Sequence, residues 1–297
     1  MTTQKRNSGL KRPSVKKWVV YGDLHIESNC RSGGRPIDRH DPKVISLFLQ
    51  FIKDFKPDGS VNLGDMAHMG PISPWQSAKG LYGQIALTDG EWGEGYLEDE
   101  MECCNLFLDL FSEAVPKCKD NYMMEANHEF WLRLLRNNPQ YKSLRNDLFY
   151  PEKNWRLKER GYKYRTYERY DSFCKENWVQ IGNRKVIHGW WVVMNFLAKH
   201  YSFMHCPFIM GHVHTAESKS FANTPDGIEH DAFSLGCMCT KEASYHRGRL
   251  NRWSQGWAVV YELPNKETIV HQIPVKCNTV IYNGKTYNPK PIPDRLM

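Results

Sequence analysis

The sequence has no long hydrophobic run, no Cys-x-x-Cys pair and, over its first 17 residues, no acid. The longest apolar stretches, such as Trp190 to Ala198, fall far short of the roughly 20 residues that cross a bilayer. No apolar leader-like run opens the chain, so a membrane partner is not expected. Nine cysteines, at positions 30, 103, 104, 118, 174, 206, 237, 239 and 277, form no even framework. That argues against a disulfide scaffold and for free thiols in a reducing, cytoplasmic setting. Cys237 and Cys239 have strand spacing and read as small buried side chains sharing one face. The missing N-terminal acids account for the charge: Lys5, Arg6, Lys11, Arg12, Lys16 and Lys17 supply six of the seven net positive charges. The rest of the chain is nearly neutral. Residues 1–16 are therefore expected to be a disordered basic tail able to brush phosphate backbones, ahead of a single domain over 17–297.

What is present is enough for a core: 297 residues, 41% of them hydrophobic. Trp18-Val19-Val20-Tyr21 reads as a strand ending at Gly22-Asp23-Leu24-His25. Asp41 at an N-cap position and Pro42 after it open an amphipathic helix through Val44, Phe48, Phe51 and Phe55. Ser60 to Leu63 reads as a second strand, ending at Gly64-Asp65, which makes a strand–helix–strand unit. Residues 66 to 94, rich in Gly and Pro, read as a long excursion that covers a site. Further helices are expected at Tyr96–Val115, from Phe130 to Arg136, and over Trp191–Tyr201. Further strands are expected at Asn121–Glu125, before His188 and at Phe208–Met210, with a strand-rich stretch from Trp155 to Lys185 and hairpins near Gly256–Leu263.

The expected strand ends share one chemistry. Asp23 with His25, then Asp65, then Asn127 with His128, then His188, then His212 with His214 each follow an apolar strand. One Asp-x-His alone is weak evidence, but the recurrence, with His128 set aside, supplies three oxygen donors and four imidazoles at one edge of an α/β fold. Two divalent ions about 3.5 to 4 Å apart require such a set: a bridging carboxylate, several neutral imidazoles and open positions. An N/O set without thiolates favours manganese foremost, with iron, zinc, magnesium or nickel as alternatives.

Gly22-Asp23-Leu24-His25, Gly64-Asp65, Asn127-His128-Glu129, His188 and Gly211-His212-Val213-His214, in that order, resemble the five motifs of the calcineurin-like metallophosphoesterases, over residues 22 to 214. The chain is most similar to bacterial and bacteriophage members regarded as nucleic-acid phosphoesterases. The resemblance implies an α/β fold, two mixed β-sheets in a sandwich flanked by helices, with a dinuclear metal site at the strand ends. It implies that Asp23, His25 and His214 hold one ion, that Asp65 bridges, and that Asn127, His188 and His212 hold the other. His128 is not a ligand in this scheme and is the candidate general acid, protonating the leaving oxygen while a metal-activated hydroxide attacks phosphorus in line. The third motif departs from the family pattern in opening with Ala126 and not Gly. Where Ser/Thr protein phosphatases carry Asp and Arg after the bridging Asp, this chain has His68 and Met69, which argues against that branch and places His68 on the substrate side. Asp23 stands where lariat-debranching members carry Cys.

Between Pro151 and Tyr170 seven Lys and Arg alternate with Trp155, Tyr162, Tyr164, Tyr167 and Tyr170, and Arg247, Arg249, Arg252 and Trp253 repeat the pattern. Cations beside aromatic platforms suit single-stranded or end-containing nucleic acid, with Tyr164 and Tyr167 as candidate stacking residues. A DNA or RNA phosphodiesterase is thus the first reading. A small-nucleotide or cyclic-nucleotide phosphoesterase is the second, and a non-catalytic binding protein the third.

Overall fold

A computed structural model describes residues 14–28, 39–73, 96–137, 149–167, 177–222, 224, 226–242 and 250–297. The basic segment through residue 13, most of the excursion after residue 73, and Tyr170, Arg247 and Arg249 lie outside the described residues. Two mixed sheets carry the fold. The first has six strands in the order β11-β10-β1-β2-β3-β4: β1 Lys16–Tyr21, β2 Gly59–Asn62, β3 Asp120–Met124, β4 Tyr162–Arg165, β10 Gln255–Glu262 and β11 Thr268–Val275. The second has five in the order β5-β6-β7-β9-β8: β5 Val179–Ile181, β6 Arg184–Ile187, β7 Phe208–Met210, β8 Glu217–Phe221 and β9 His230–Ser234. A separate hairpin of β12 Val280–Tyr282 and β13 Lys285–Tyr287 packs against the main core through Val280 and Tyr287.

The period-two pattern of β1 explains the layering. Trp18 and Val20 point between the sheets, where they meet Val61, Leu63, Met124, Val186, Ile209 and Val260. Val19 and Tyr21 point the other way, into the main core beneath α1 (Pro42–Phe55), α2 (Tyr96–Ala114) and α3 (Asn127–Asn137). Tyr21 packs there on Phe48 and Phe111, with ring centroids 4.6 and 5.5 Å apart. The far face of the second sheet is covered by α5 (Phe196–Met204) through Phe196, Leu197 and Met204 against Phe208 and Met210. The result is helix, sheet, sheet, helix. As the sequence predicts, Asp41 caps α1, its carboxylate accepting from the N–H groups of Lys43 and Val44.

β1, β2 and β3 run parallel, as do β6 and β7. Their C-terminal ends therefore open on one edge of the sandwich. Two expected boundaries are corrected. The helix expected over Trp191–Tyr201 begins only at Phe196, because Asn195 adopts a left-handed conformation (φ 57°) and Val192 and Val193 stay exposed. The stretch from Trp155, expected to be strand-rich, follows a helical turn, α4 (Pro151–Asn154), and continues in turns up to β4 at Tyr162, with Trp155 and Leu157 packed into the main core. Among the described residues no helix is long and apolar enough to cross a membrane.

Candidate metal centre

All seven residues expected at the strand ends are brought together. Asp23 and His25 follow β1, Asp65 follows β2, Asn127 opens α3 after β3, His188 follows β6, and His212 and His214 follow β7. On one side His214 Nε2 lies 3.1 Å from Asp23 Oδ1 and 3.2 Å from His25 Nε2. On the other His188 Nε2 lies 3.0 Å from Asn127 Oδ1 and 3.2 Å from His212 Nδ1. Asp65 stands between the two sets, its Oδ2 3.8 Å from His25 Nε2 and 3.5 Å from His188 Nε2. Its other oxygen accepts the His128 N–H at 3.0 Å.

Backbone conformation marks the same residues. Asp23, His25, Asp65, His212 and His214 all have φ between 48° and 69°. A left-handed conformation costs a residue with a β-carbon roughly 1 to 2 kcal/mol, and such outliers gather where a site over-determines them. Five of them in one cluster place the strain at the donors themselves. Glycines make the approach possible: a β-carbon on Gly211 would meet Asp23 Oδ2 at 2.4 Å, and one on Gly64 (φ 94°) would meet Ala126 Cβ at 2.5 Å. The methyl of Ala126, the departure seen in the third motif, thus sits in the space left by Gly64.

The electrostatics follow from burial. Burial pushes His25 and His212 well below the ordinary imidazole range and His188 down to about 4, so these rings are neutral, the form that binds metal. Burial also opposes ionisation of Asp23, but His214, with His188 and His212, outweighs it and draws the carboxyl down to about 2. Asp65 is raised by burial and by Glu129 and Asp23, against the hydrogen bond from His128. His214 is raised despite its burial, through Asp23.

These donors fit divalent ions. His188 Nδ1 donates to Leu63 O at 3.0 Å, so in the neutral ring Nε2 is a lone pair, turned toward Asn127 and His212. Among the described residues His25 Nδ1 is buried without a hydrogen-bond partner. Buried N and O donors at about 3 Å, with few hydrogens among them, are arranged for cations.

His128 sits beside Asp65, 4.5 Å from the His25 ring by centroids, and its Nδ1 donates to His68 O at 2.5 Å. Burial takes it to about 3, against that hydrogen bond. His68 lines the same cavity, and its Nε2 accepts from Arg39 Nε at 3.1 Å. The cavity has a volume of about 380 Å³. Tyr164 is corrected: it shares its strand face with buried Tyr162, so its ring packs against the main core and its hydroxyl is buried, away from the cavity. Tyr167 lies against His188, 6.2 Å between centroids, in a small crevice of its own.

Four residues were not singled out as site residues from sequence. Glu129 accepts backbone N–H groups from Asp65, Met66, Ala67 and Ala126 at 2.8 to 3.3 Å. Arg39 is a buried cation in the cavity wall. Cys239, buried as expected, puts its sulfur 3.8 Å from His214 Nδ1. Trp253 packs edge-on against His214, with centroids 4.1 Å apart.

No known family model and no curated protein matches the chain. Among solved structures it is similar to Vps29 of Chaetomium thermophilum, at 11% identity over 87% of this chain and 97% of that one, with a TM-score of 0.37. It is also similar to a dimetal phosphatase from Danio rerio, at 10% identity over 87% of this chain and 96% of that one, with a TM-score of 0.40.

Proposed function

We propose that this chain is a two-metal phosphoesterase of the calcineurin-like kind, acting on phosphodiesters of nucleic acids or nucleotides. One observation carries the reading: the Asp65 carboxylate lies between two imidazole-containing donor sets, His25 with Asp23 and His214, and His188 with Asn127 and His212. When bound, two divalent ions there supply charge for the phosphoryl oxygens and lower the pKa of a water enough for it to act as nucleophile at neutral pH.

The chain's own residues do the rest. Asp65 fixes the spacing of the two sets, held by Glu129 at its N–H and by His128 at its Oδ1. His128, with Nδ1 committed to the His68 carbonyl, keeps Nε2 for proton transfer to a leaving oxygen. A bound phosphate anion raises the affinity of that nitrogen for a proton. Arg39, buried in the wall of the same cavity, supplies positive charge there.

The test is a parallel assay of manganese-loaded protein on bis-p-nitrophenyl phosphate, p-nitrophenyl phosphate, single-stranded DNA and RNA, with Asp65→Asn as control. Diester cleavage that needs metal and Asp65 supports the reading. Absence of metal-dependent cleavage of every ester overturns it.

A further inference from the structure

A metal-binding imidazole offers one nitrogen to the ion and gives its other N–H to an outer acceptor, which fixes the ring's tautomer and tilt. For His188 that acceptor is a backbone carbonyl, Leu63 O, 3.0 Å from Nδ1. For His214 it is a sulfur. Cys239 Sγ lies 3.8 Å from His214 Nδ1, while Nε2 of the same ring faces Asp23 and His25. Both side chains are buried.

Cys239 is itself held. Burial and a hydrogen bond with Cys237 push the Cys239 thiol well above its usual range, whereas for Cys237 burial is outweighed by that same hydrogen bond, which lowers it. A shared hydrogen bond raises the donor and lowers the acceptor, so the Cys239 S–H donates to Cys237 Sγ. Cys237 Sγ in turn has two carbonyls within reach, Ser254 O at 3.5 Å and Cys239 O at 3.6 Å. The series closes on itself, because the Ser254 N–H donates to His214 O at 2.8 Å. With the Cys239 proton committed to Cys237, His214 Nδ1 is the donor to Cys239 Sγ, and Nε2 keeps a lone pair.

Backbone bonds place this segment without help from the imidazole. The Met238 N–H donates to Asp23 O at 3.1 Å, the Cys237 N–H to Ser254 O at 2.9 Å, and Gln255 Nε2 to Cys239 O at 2.8 Å. His25, His214 and Cys239 also have donor atoms within 4.8 Å of one another, the spacing of a ligand set. The sulfur nevertheless lies on the Nδ1 side of His214, away from the nitrogen that faces Asp23 and His25.

We infer that Cys239 is a positioning residue for His214: its sulfur accepts the Nδ1–H, holds the ring in the tautomer that a metal requires, and is oriented by Cys237. The inference rests on the two-metal reading above, but metal affinity measures it without turnover.

Calorimetric titration of the full chain with manganese is the test. Cys239→Ala should weaken one of the two ions by about ten-fold, the lower end of the span for loss of an outer partner, since sulfur is a weak acceptor. The affinity of the other ion and the circular dichroism spectrum should stay unchanged. Cys239→Ser keeps both a donor and an acceptor and should recover part of the loss. Cys237→Ala should weaken the same ion by a smaller factor, and no change there removes Cys237 from the series. A merely structural cysteine would lower the denaturation midpoint without singling out one ion. Unchanged manganese affinity in Cys239→Ala overturns the inference, as does a loss in Cys239→Ser equal to that in Cys239→Ala. Cobalt-loaded wild type should show no thiolate-to-cobalt charge-transfer band; a band that disappears in Cys239→Ser would make the sulfur a ligand and overturn the positioning role. If the affinities follow this pattern but no ester is cleaved, the positioning role stands and the phosphoesterase reading fails. Metal-dependent cleavage with wild-type manganese affinity in Cys239→Ala gives the reverse, and a wild type that takes up no manganese overturns both.

Discussion

Glu129 Oε2 accepts the backbone N–H of Asp65 at 3.0 Å, joining the first turn of α3 to the loop after β2 across 64 residues of sequence. The same carboxylate takes the N–H groups of Met66, Ala67 and Ala126, and it is fully buried. One side chain thus sets the path of the backbone on either side of two candidate ligands.

Glu129→Ala would leave four buried donors without their acceptor. Each unsatisfied buried group costs about 1 to 3 kcal/mol, so the loss should reach several kcal/mol unless water enters. Chemical denaturation checks this, with Glu129→Gln expected between the variant and the wild type. A loss below about 1 kcal/mol would contradict the role.

Gly211→Ala places a methyl 2.4 Å from Asp23 Oδ2. The carboxylate must move, since Gly211 sits between β7 and His212. Metal affinity should fall roughly 10- to 100-fold, the span seen when support of a ligand is disturbed, while the circular dichroism spectrum stays unchanged. Calorimetric titration with manganese measures the shift.

His128→Ala should leave metal content intact and lower turnover by about 10² to 10⁴, the usual span for a positioned general acid. The loss should shrink for p-nitrophenolate, which leaves without a proton. Equal losses for nitrophenolate and alkoxide leaving groups would assign His128 to phosphate binding.

His200 gives a pH dependence apart from catalysis. Its Nδ1 donates to Phe196 O at 2.8 Å and its Nε2 accepts from the Trp190 N–H at 3.0 Å, so both nitrogens are used by the neutral ring. Burial lowers it to about 4. A histidine depressed on folding contributes stability above its unfolded pKa, near 6.5, and that contribution is lost as pH falls toward 4. His200→Gln, which keeps donor and acceptor without titrating, should flatten that part of the stability curve, as read by denaturant midpoints at pH 7, 5.5 and 4.

The candidate site was legible in the sequence where chemistry recurs with strand ends. Asp23, Asp65, His188 and His212 each follow a short apolar run, and parallel strands bring such ends to one edge. Residues that act through the third dimension carried no such signal. Arg39 stands in a polar loop, and Glu129 is one acid in a helix start; only the folded chain brings Arg39 against His68, 29 positions away, and Glu129 against Asp65, Met66 and Ala67, 62 to 64 positions away. Tyr164 misled for a local reason: interleaved tyrosines look like a stacking surface, but the two-residue period of β4 turns Tyr162 and Tyr164 together onto the core. The late start of α5 was hidden because Val192 and Val193 look like helix-face residues, whereas the left-handed Asn195 sets the boundary.

The central claim is the sharing of Asp65 by two donor sets, and metal stoichiometry tests it most directly. Protein stripped with chelator, dialysed against excess manganese and freed of unbound ion should hold two equivalents per chain by elemental analysis, and Asp65→Asn should lose most of that metal. A wild-type stoichiometry that stays at or below one under saturating metal would contradict the dinuclear account.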